Sequence, residues 1–310
     1  MTTIENLCFK TGIPRSKLLK AVELPTSKYY EWKKRFGIPN QHNGKIPRDF
    51  WLEPWEKEAI VDFKRKHPDE GYKRLTYMMM DQDIVAVSPS TTYRHLRMAG
   101  LTSNWNKKSS GTKKKGFTQP LKPHEHWHMD ISYINFRGTF LFLICVLDGY
   151  SRFIVHHDLR VNMQEYDVEL VLQEALEKYP HATPRIISDN GPQFISKEFK
   201  SFIKFNGLKH ARTSVNHPQS NGKLEAFHGN IKTECIRLES FIDLEDARAK
   251  VAEYIRKYNH QRLHSGIGFV TPFDMLTGRA ETVFKERDEK LEKARQRRKE
   301  NYQKKYRKSA

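Results

Sequence analysis

Three acids, Asp130, Asp189 and Glu225, have types and spacing suited to phosphoryl chemistry. Asp189 follows the apolar pair Ile186-Ile187 in R-I-I-S-D-N-G-P-Q-F, where Ser188, Asn190 and Gly191 stop a buried strand at its exit. Ligands of α/β sheets gather at such exits. Glu225 comes after 35 intervening residues, in N-H-P-Q-S-N-G-K-L-E-A-F-H-G-N-I-K-T-E. Pro218 and Gly222 mark a loop there, Ser220 or Asn221 is an N-cap candidate, and Glu225 falls in the first turn of a helix. Asp130 lies in H-W-H-M-D-I-S-Y-I, whose alternation puts His128, Asp130 and Ser132 on one strand face. Carboxylates suit hard ions such as Mg²⁺ or Mn²⁺. Two such ions about 3.5–4 Å apart can clamp the attacking and leaving oxygens of an in-line displacement at phosphorus. Taken singly, each acid also reads as a solvated surface charge.

Together the acids resemble the D-D-(35)-E signature of insertion-sequence transposases and retroviral integrases. H-P-Q-S-N-G-K-L-E resembles the integrase segment that leads into the last acid, and Lys232 stands seven residues after Glu225, where that family carries a basic residue. Y-N-H-Q-R-L-H-S-G-I-G-F-V-T-P resembles the segment that closes the core of insertion-sequence transposases. The resemblance implies a ribonuclease H-like α/β core with Asp130, Asp189 and Glu225 as catalytic and metal-ligating residues for two Mg²⁺ (or Mn²⁺) ions per site. It also implies cleavage and strand transfer on double-stranded DNA, both transposon ends and target, by a homo-oligomer, with Lys232 positioning a terminal phosphate. A metal-dependent nuclease on the same fold and a non-catalytic DNA-binding regulator are the rival readings. The H-P-Q-S-N-G loop differs from the Asp-Asn form common among insertion-sequence transposases, which leaves the subgroup open. No heptad run precedes the core, so a coiled coil, of the kind a partner protein from an upstream reading frame supplies, is not visible.

The elements that must position these residues read as βββαβαβα within residues 121–279. The strand with Asp130 is followed by the continuously apolar T-F-L-F-L-I-C-V-L-D and by S-R-F-I-V-H-H-D. A helix from about Gln164 to Tyr179 turns Val168, Val171, Leu172, Ala175 and Leu176 inward. The strand ending at Asp189, a helix through Phe199 and Phe202, a short strand near Leu208-Lys209-His210 and the Glu225 helix complete the order. On that last helix Glu225, His228 and Lys232 share one face. Asp148, closing the second strand, competes as a fourth acid and reads better as a turn residue or a partner of Arg152.

The rest of the chain points to a polyanion. Lys and Arg outnumber Asp and Glu by 55 to 37, a net charge of +18, which favours nucleic acid over a membrane as partner. Three scattered cysteines, Cys8, Cys145 and Cys235, suggest neither a disulfide framework nor a zinc half-site and fit a reducing cytoplasm. No apolar run approaches 18 residues and no signal peptide is read, so a cytoplasmic, nucleoid-associated protein is expected.

Residues 1–39 read as a helix-turn-helix domain, with Leu18 and Val22 on the inner face of its first helix. Residues 48–101 read as a second such domain, with Trp55, Ala59, Ile60 and Phe63 on one face. Its third helix starts at the N-cap Ser88 and Pro89 and offers Ser90, Thr91, Arg94, His95 and Arg97 to bases. Residues 102–120 hold Lys107, Lys108, Lys113, Lys114 and Lys115 without an acid and read as a basic linker that lies along phosphates. His228 and Lys232 join these as DNA-contact candidates. Residues 280–310 read as a basic helical tail with little to bury, nine basic residues and one acid lying between Lys293 and Lys308.

Overall fold

Alternation in residues 126–136 becomes the middle strand of a five-stranded sheet in the computed structural model, which describes residues 2–37, 51–102, 119–212 and 222–307. The strands are β1 (His126–Phe136), β2 (Thr139–Asp148), β3 (Ile154–Arg160), β4 (Arg185–Ser188) and β5 (Lys209–Arg212), in the order β3-β2-β1-β4-β5. β1, β2 and β3 form an antiparallel meander, while β4 and β5 run parallel to β1. This is the ribonuclease H-like arrangement. Arg137 and Gly138 both adopt positive φ, 48° and 82°, and close the β1–β2 hairpin in two residues, a backbone twist that matches the flanking strands.

The two faces of the sheet hold different cores. Trp127 and Met129 on β1 pack with Val168, Val171, Leu172 and Ala175 of α7 (Glu165–Lys178) and with Phe199 and Ile203 of α9 (Lys197–Phe205). On the opposite face, Leu143, Cys145 and Leu147 of β2 pack with Leu224, Phe227 and Ile231 of α10 (Gly222–Ile231) and with Val251, Ile255 and Tyr258 of α11 (Leu244–His260). Asn259 staples α11 to β3: its side chain accepts from the Ile154 N–H at 2.9 Å and donates to the Ile154 carbonyl at 3.0 Å.

Asp148 is a turn residue, as read from the sequence. It is fully buried, and its carboxylate accepts from His124 N, Ser151 N and Ser151 Oγ at 2.8, 2.8 and 2.6 Å. Arg152 donates to the neighbouring Gly149 carbonyl at 2.6 Å rather than to the carboxylate.

By compactness the chain divides into residues 52–295 and a second unit of residues 1–51 with 296–310. In the second unit α1 (Thr2–Thr11), α2 (Arg15–Ala21) and α3 (Thr26–Lys34) pack around Leu19 and Tyr29, and Lys33 pairs with Glu5 at 2.6 Å. Val22, expected inside, is 58% exposed because α2 ends at Ala21 and Leu19 takes the inner position.

In the larger unit α4 (Pro54–Lys66), α5 (Tyr72–Asp81) and α6 (Pro89–Met98) share a core of Ile60, Phe63, Leu75, Met79 and Leu96. Ser88 caps α6 by accepting from Thr91 N, with Pro89 at the first helical position. Two expectations fail locally. Trp55 is 46% exposed, because Glu56 turns inward to complete the capping box with Glu53. Thr91 is buried, its hydroxyl 3.0 Å from Ser88 Oγ, and offers nothing to bases. The tail is helical as read, α13 running Ala280–Arg307, but against the expectation of little to bury Arg287 is buried.

Asp148→Ala strands two buried donors of Ser151 and the half-buried His124 N–H, at a cost of roughly 2–4 kcal/mol. Thermal unfolding should register the loss as a clearly lower midpoint. An unchanged midpoint would remove Asp148 from the scaffold.

Candidate active site

Strand register brings the first two acids together. His128 of β1 lies beside Ile187 of β4 in parallel pairing. Continued two residues along both strands, that register sets Asp130 level with Asp189, just past the end of β4, and residues level on parallel strands point to the same side. Trp127 and Met129 face α7, so Asp130, with the opposite parity, faces the α10 side. There α10 packs on β1, burying Leu224, Phe227, His228 and Ile231 and leaving Glu225 exposed in its first turn. Lys232 opens a π-helical turn, Lys232–Ile236, that continues α10, and such turns recur at functional sites.

The local contacts hold the acids in place. The Asp130 side chain is 16% exposed, and its Oδ1 accepts from Ile131 N at 2.9 Å. His228 Nδ1 stands 3.5 Å from Asp130 Oδ2. Asp189 Oδ1 accepts from Gly191 N at 2.9 Å, and a Cβ at position 191 would meet that oxygen at 3.1 Å, so glycine leaves the carboxylate its room.

Electrostatics couples the same residues. Burial, then the charge of Asp189, pushes the Asp130 carboxyl up to about 7; Glu225 adds to the rise, while the Ile131 N–H and Lys232 oppose it. Burial, then Lys232, pushes the His228 imidazole down to about 4, so it is neutral near pH 7, and its buried Nε2 has no hydrogen-bond partner. Asp130 is thus in contact with His228 and feels the charges of Asp189, Glu225 and Lys232.

The DNA-contact candidates of the helical domain lie elsewhere. Arg94 and Arg97 are exposed on α6, which packs on α4 and α5. His95 is half-buried and held below its ordinary pKa by burial, then by Lys57 and Arg94. Lys107, Lys108, Lys113, Lys114 and Lys115 lie outside the described residues, as do Ser220 and Asn221.

One contact at the start of α10 escaped the sequence. Lys223 is half-buried and donates to the Gly149 carbonyl at 2.8 Å, the carbonyl that also accepts from Arg152. Burial, then Arg152, pushes its ammonium down to about 7. Lys223 stood inside the N-G-K-L-E block, but nothing in its spacing tied it to a turn 74 residues earlier.

Asp130, half-buried and repelled by Asp189 and Glu225, makes with them a hard-oxygen donor set that a divalent cation would relieve. Among the described residues, no three His, Cys, Asp or Glu side chains stand close enough to hold an ion as they are. The donor chemistry fits a metal, and the spacing is wider than a bound ion requires.

The chain is similar to several known proteins. A family described as Integrase core domain matches residues 120–218, and a second family of the same description matches residues 206–272. InsK of insertion sequence element IS150 from Escherichia coli is 24% identical over 269 residues, 84% of this chain and 93% of that one. Transposase InsF of insertion sequence IS3A, also from Escherichia coli, is 27% identical over 69% of this chain and 79% of its own length. Among solved structures, the HTLV-2 integrase catalytic core in complex with magnesium aligns with a TM-score of 0.39 at 19% identity, over 50% of this chain and 98% of that one.

The Asp130 shift carries a sign. Its carboxyl ordinarily titrates at 3.8 but in the folded chain at about 7, so between those values the folded chain holds a proton that the unfolded chain has lost. Stability therefore falls as pH rises through that window. In EDTA the wild type should lose stability from about pH 4 to about pH 8 relative to Asp130→Asn, by roughly 2–4 kcal/mol. Thermal melts across that range check it, and a gap independent of pH would contradict the coupling.

Proposed function

Because the chain carries an integrase core of the insertion-sequence transposase kind, we propose that it is a DNA transposase. It would bind terminal inverted repeats and catalyse strand cleavage and strand transfer. The observation that carries this reading is the placement of Asp130 on the central strand, 3.5 Å from His228 of α10, the helix that bears Glu225, with Asp189 just past the end of the neighbouring β4.

Asp130, Asp189 and Glu225 would hold two Mg²⁺ or Mn²⁺ ions. Bound there, the ions supply Lewis-acid stabilisation of the charge that builds on the phosphate and on the entering and leaving oxygens. The remaining roles fall to this chain's own side chains. Asp130 gives up its proton when the site is loaded, since its neutral form reflects burial and repulsion. His228, buried against Asp130 and neutral, limits water on that side of the carboxylate. Lys232, whose charge reaches both Asp130 and His228, holds a terminal phosphate. Direct displacement by water or a 3′-hydroxyl uses no covalent enzyme intermediate, so no Ser, Tyr or Cys nucleophile is assigned.

The other parts supply DNA binding. Residues 1–39 and 48–101 read the repeats, residues 121–279 do the chemistry, and the linker 102–120 and tail 280–310 add phosphate contacts. A net charge of +18 supports a DNA partner, and joining two ends to one target calls for a homo-oligomer. No helix among the described residues is long and apolar enough to cross a membrane, in keeping with a cytoplasmic, nucleoid-associated protein.

Glu225→Gln should abolish cleavage and joining while end binding persists, because a lost ligand removes several kcal/mol of transition-state stabilisation and binding comes from other parts. Strand transfer retained by the variant on pre-cut ends, or full activity in EDTA, would refute the assignment. Cleavage without transfer in the wild type would make the protein a nuclease.

Base reading by α6 has its own signature. Arg94→Ala should cost about 1–3 kcal/mol on a preferred duplex and little on random DNA, measured by competition binding. An equal loss on both would reduce Arg94 to a phosphate contact.

A further inference from the structure

Helices α4–α6 and the sheet belong to one compact unit, and the first turns of α13 hold them together. Arg287, 4% exposed, sends Nε and one terminal nitrogen to the two carboxylate oxygens of Asp81, at the end of α5, at 2.8 and 2.6 Å. The same terminal nitrogen donates to the Phe269 carbonyl at 2.9 Å. Its guanidinium lies 4.7 Å from the centroid of the Tyr77 ring, and Tyr77 stacks on Phe269 at 5.0 Å. Lys290 donates to the Met80 carbonyl at 2.9 Å and pairs with Asp83 at 2.7 Å. From the other side, Arg74 of α5 donates to the Leu263 carbonyl at 3.0 Å and pairs with Glu70 at 2.6 Å.

The turn that receives these contacts has little freedom. Gly268 and Phe269 both adopt positive φ, 81° and 61°, and a Cβ at position 268 would come within 2.8 Å of the Phe284 ring of α13. A nearly buried guanidinium shared by a forked carboxylate, a carbonyl and an aromatic face is directional and poorly screened. It is a joint of fixed geometry.

We propose that this joint sets the distance along DNA between the bases read by α6 and the phosphodiester presented to the three acids. Arg287, Asp81 and Tyr77 are then positioning residues for the choice of cleavage site, although none of them touches DNA. The inference rests on the transposase reading above. A reader on a free tether would leave the cut to the core's own contacts with the DNA end. A reader bolted to the core makes the cut a property of the protein.

The test uses the full chain and a duplex that it selects from a random-sequence library and nicks in Mn²⁺. Bases contacted by α6 are identified as those whose protection is lost in Arg94→Ala. Half a helical turn, about 5 base pairs, is then inserted between those bases and the nick. The wild-type nick should keep its distance from the α6 bases and so move relative to the DNA end. In Arg287→Ala, and in Asp81→Asn, whose side chain is 34% exposed and tolerates the change, nicks should scatter over neighbouring phosphodiesters. The fraction at the fixed distance should fall about tenfold, the loss expected for one charge-assisted pair, with total nicking unchanged. A wild-type nick that stays at the original phosphodiester, or joint variants that keep the wild-type pattern, would overturn the inference and leave the transposase reading standing. A wild type that nicks no duplex would remove both.

Discussion

The parallel register of β1 and β4 is the constraint on which the site depends. Backbone hydrogen bonds set His128 beside Ile187, and two residues later the chains carry Asp130 and Asp189, the second of which acts electrostatically on the first. The sheet thereby enforces a repulsion that free side chains would avoid, and like charges at close range in a half-buried site cost on the order of a few kcal/mol. Burial first, and that repulsion after it, push the Asp130 carboxyl up to about 7. A site that destabilises its own charged form is arranged for something that arrives later.

The surroundings resist relief of that repulsion. α10 is anchored by Leu224, Phe227 and Ile231 in the core, so Glu225 cannot swing away without loss of packing. Asn259 fixes α11 to β3 through both functions of its amide. The Asp148 turn gathers three donors and holds the chain leaving β2. Lys223 and Arg152 converge on the carbonyl next to that turn, and so the base of α10 is tied to the end of β2.

Much of this was legible in the sequence because its periods are strong. The alternation around Asp130, the apolar run of β2, the α7 stripe and the Ser88-Pro89 start of α6 each come from local rules, and the elements follow them. What the sequence hid was decided by competition. Trp55 yielded its inward position to Glu56 because a capping carboxylate satisfies backbone donors that an indole cannot. Thr91 was taken by its own cap. Arg287 read as one more charge on a solvated tail, since no local pattern reveals that a cation will meet Asp81, some 206 residues away. Lys223 was hidden for the same reason.

The topology also orders events during synthesis. β1, β2 and β3 are consecutive and can pair as soon as they emerge, whereas β4 must return across α7 to lie along β1, and α10 must then close over the same strand. Long-range parallel pairing is the slow part of such a fold. Asp130 therefore waits on an antiparallel meander, without its neighbours, until the C-terminal half of the core is made. A nascent or truncated chain therefore lacks the assembled carboxylates.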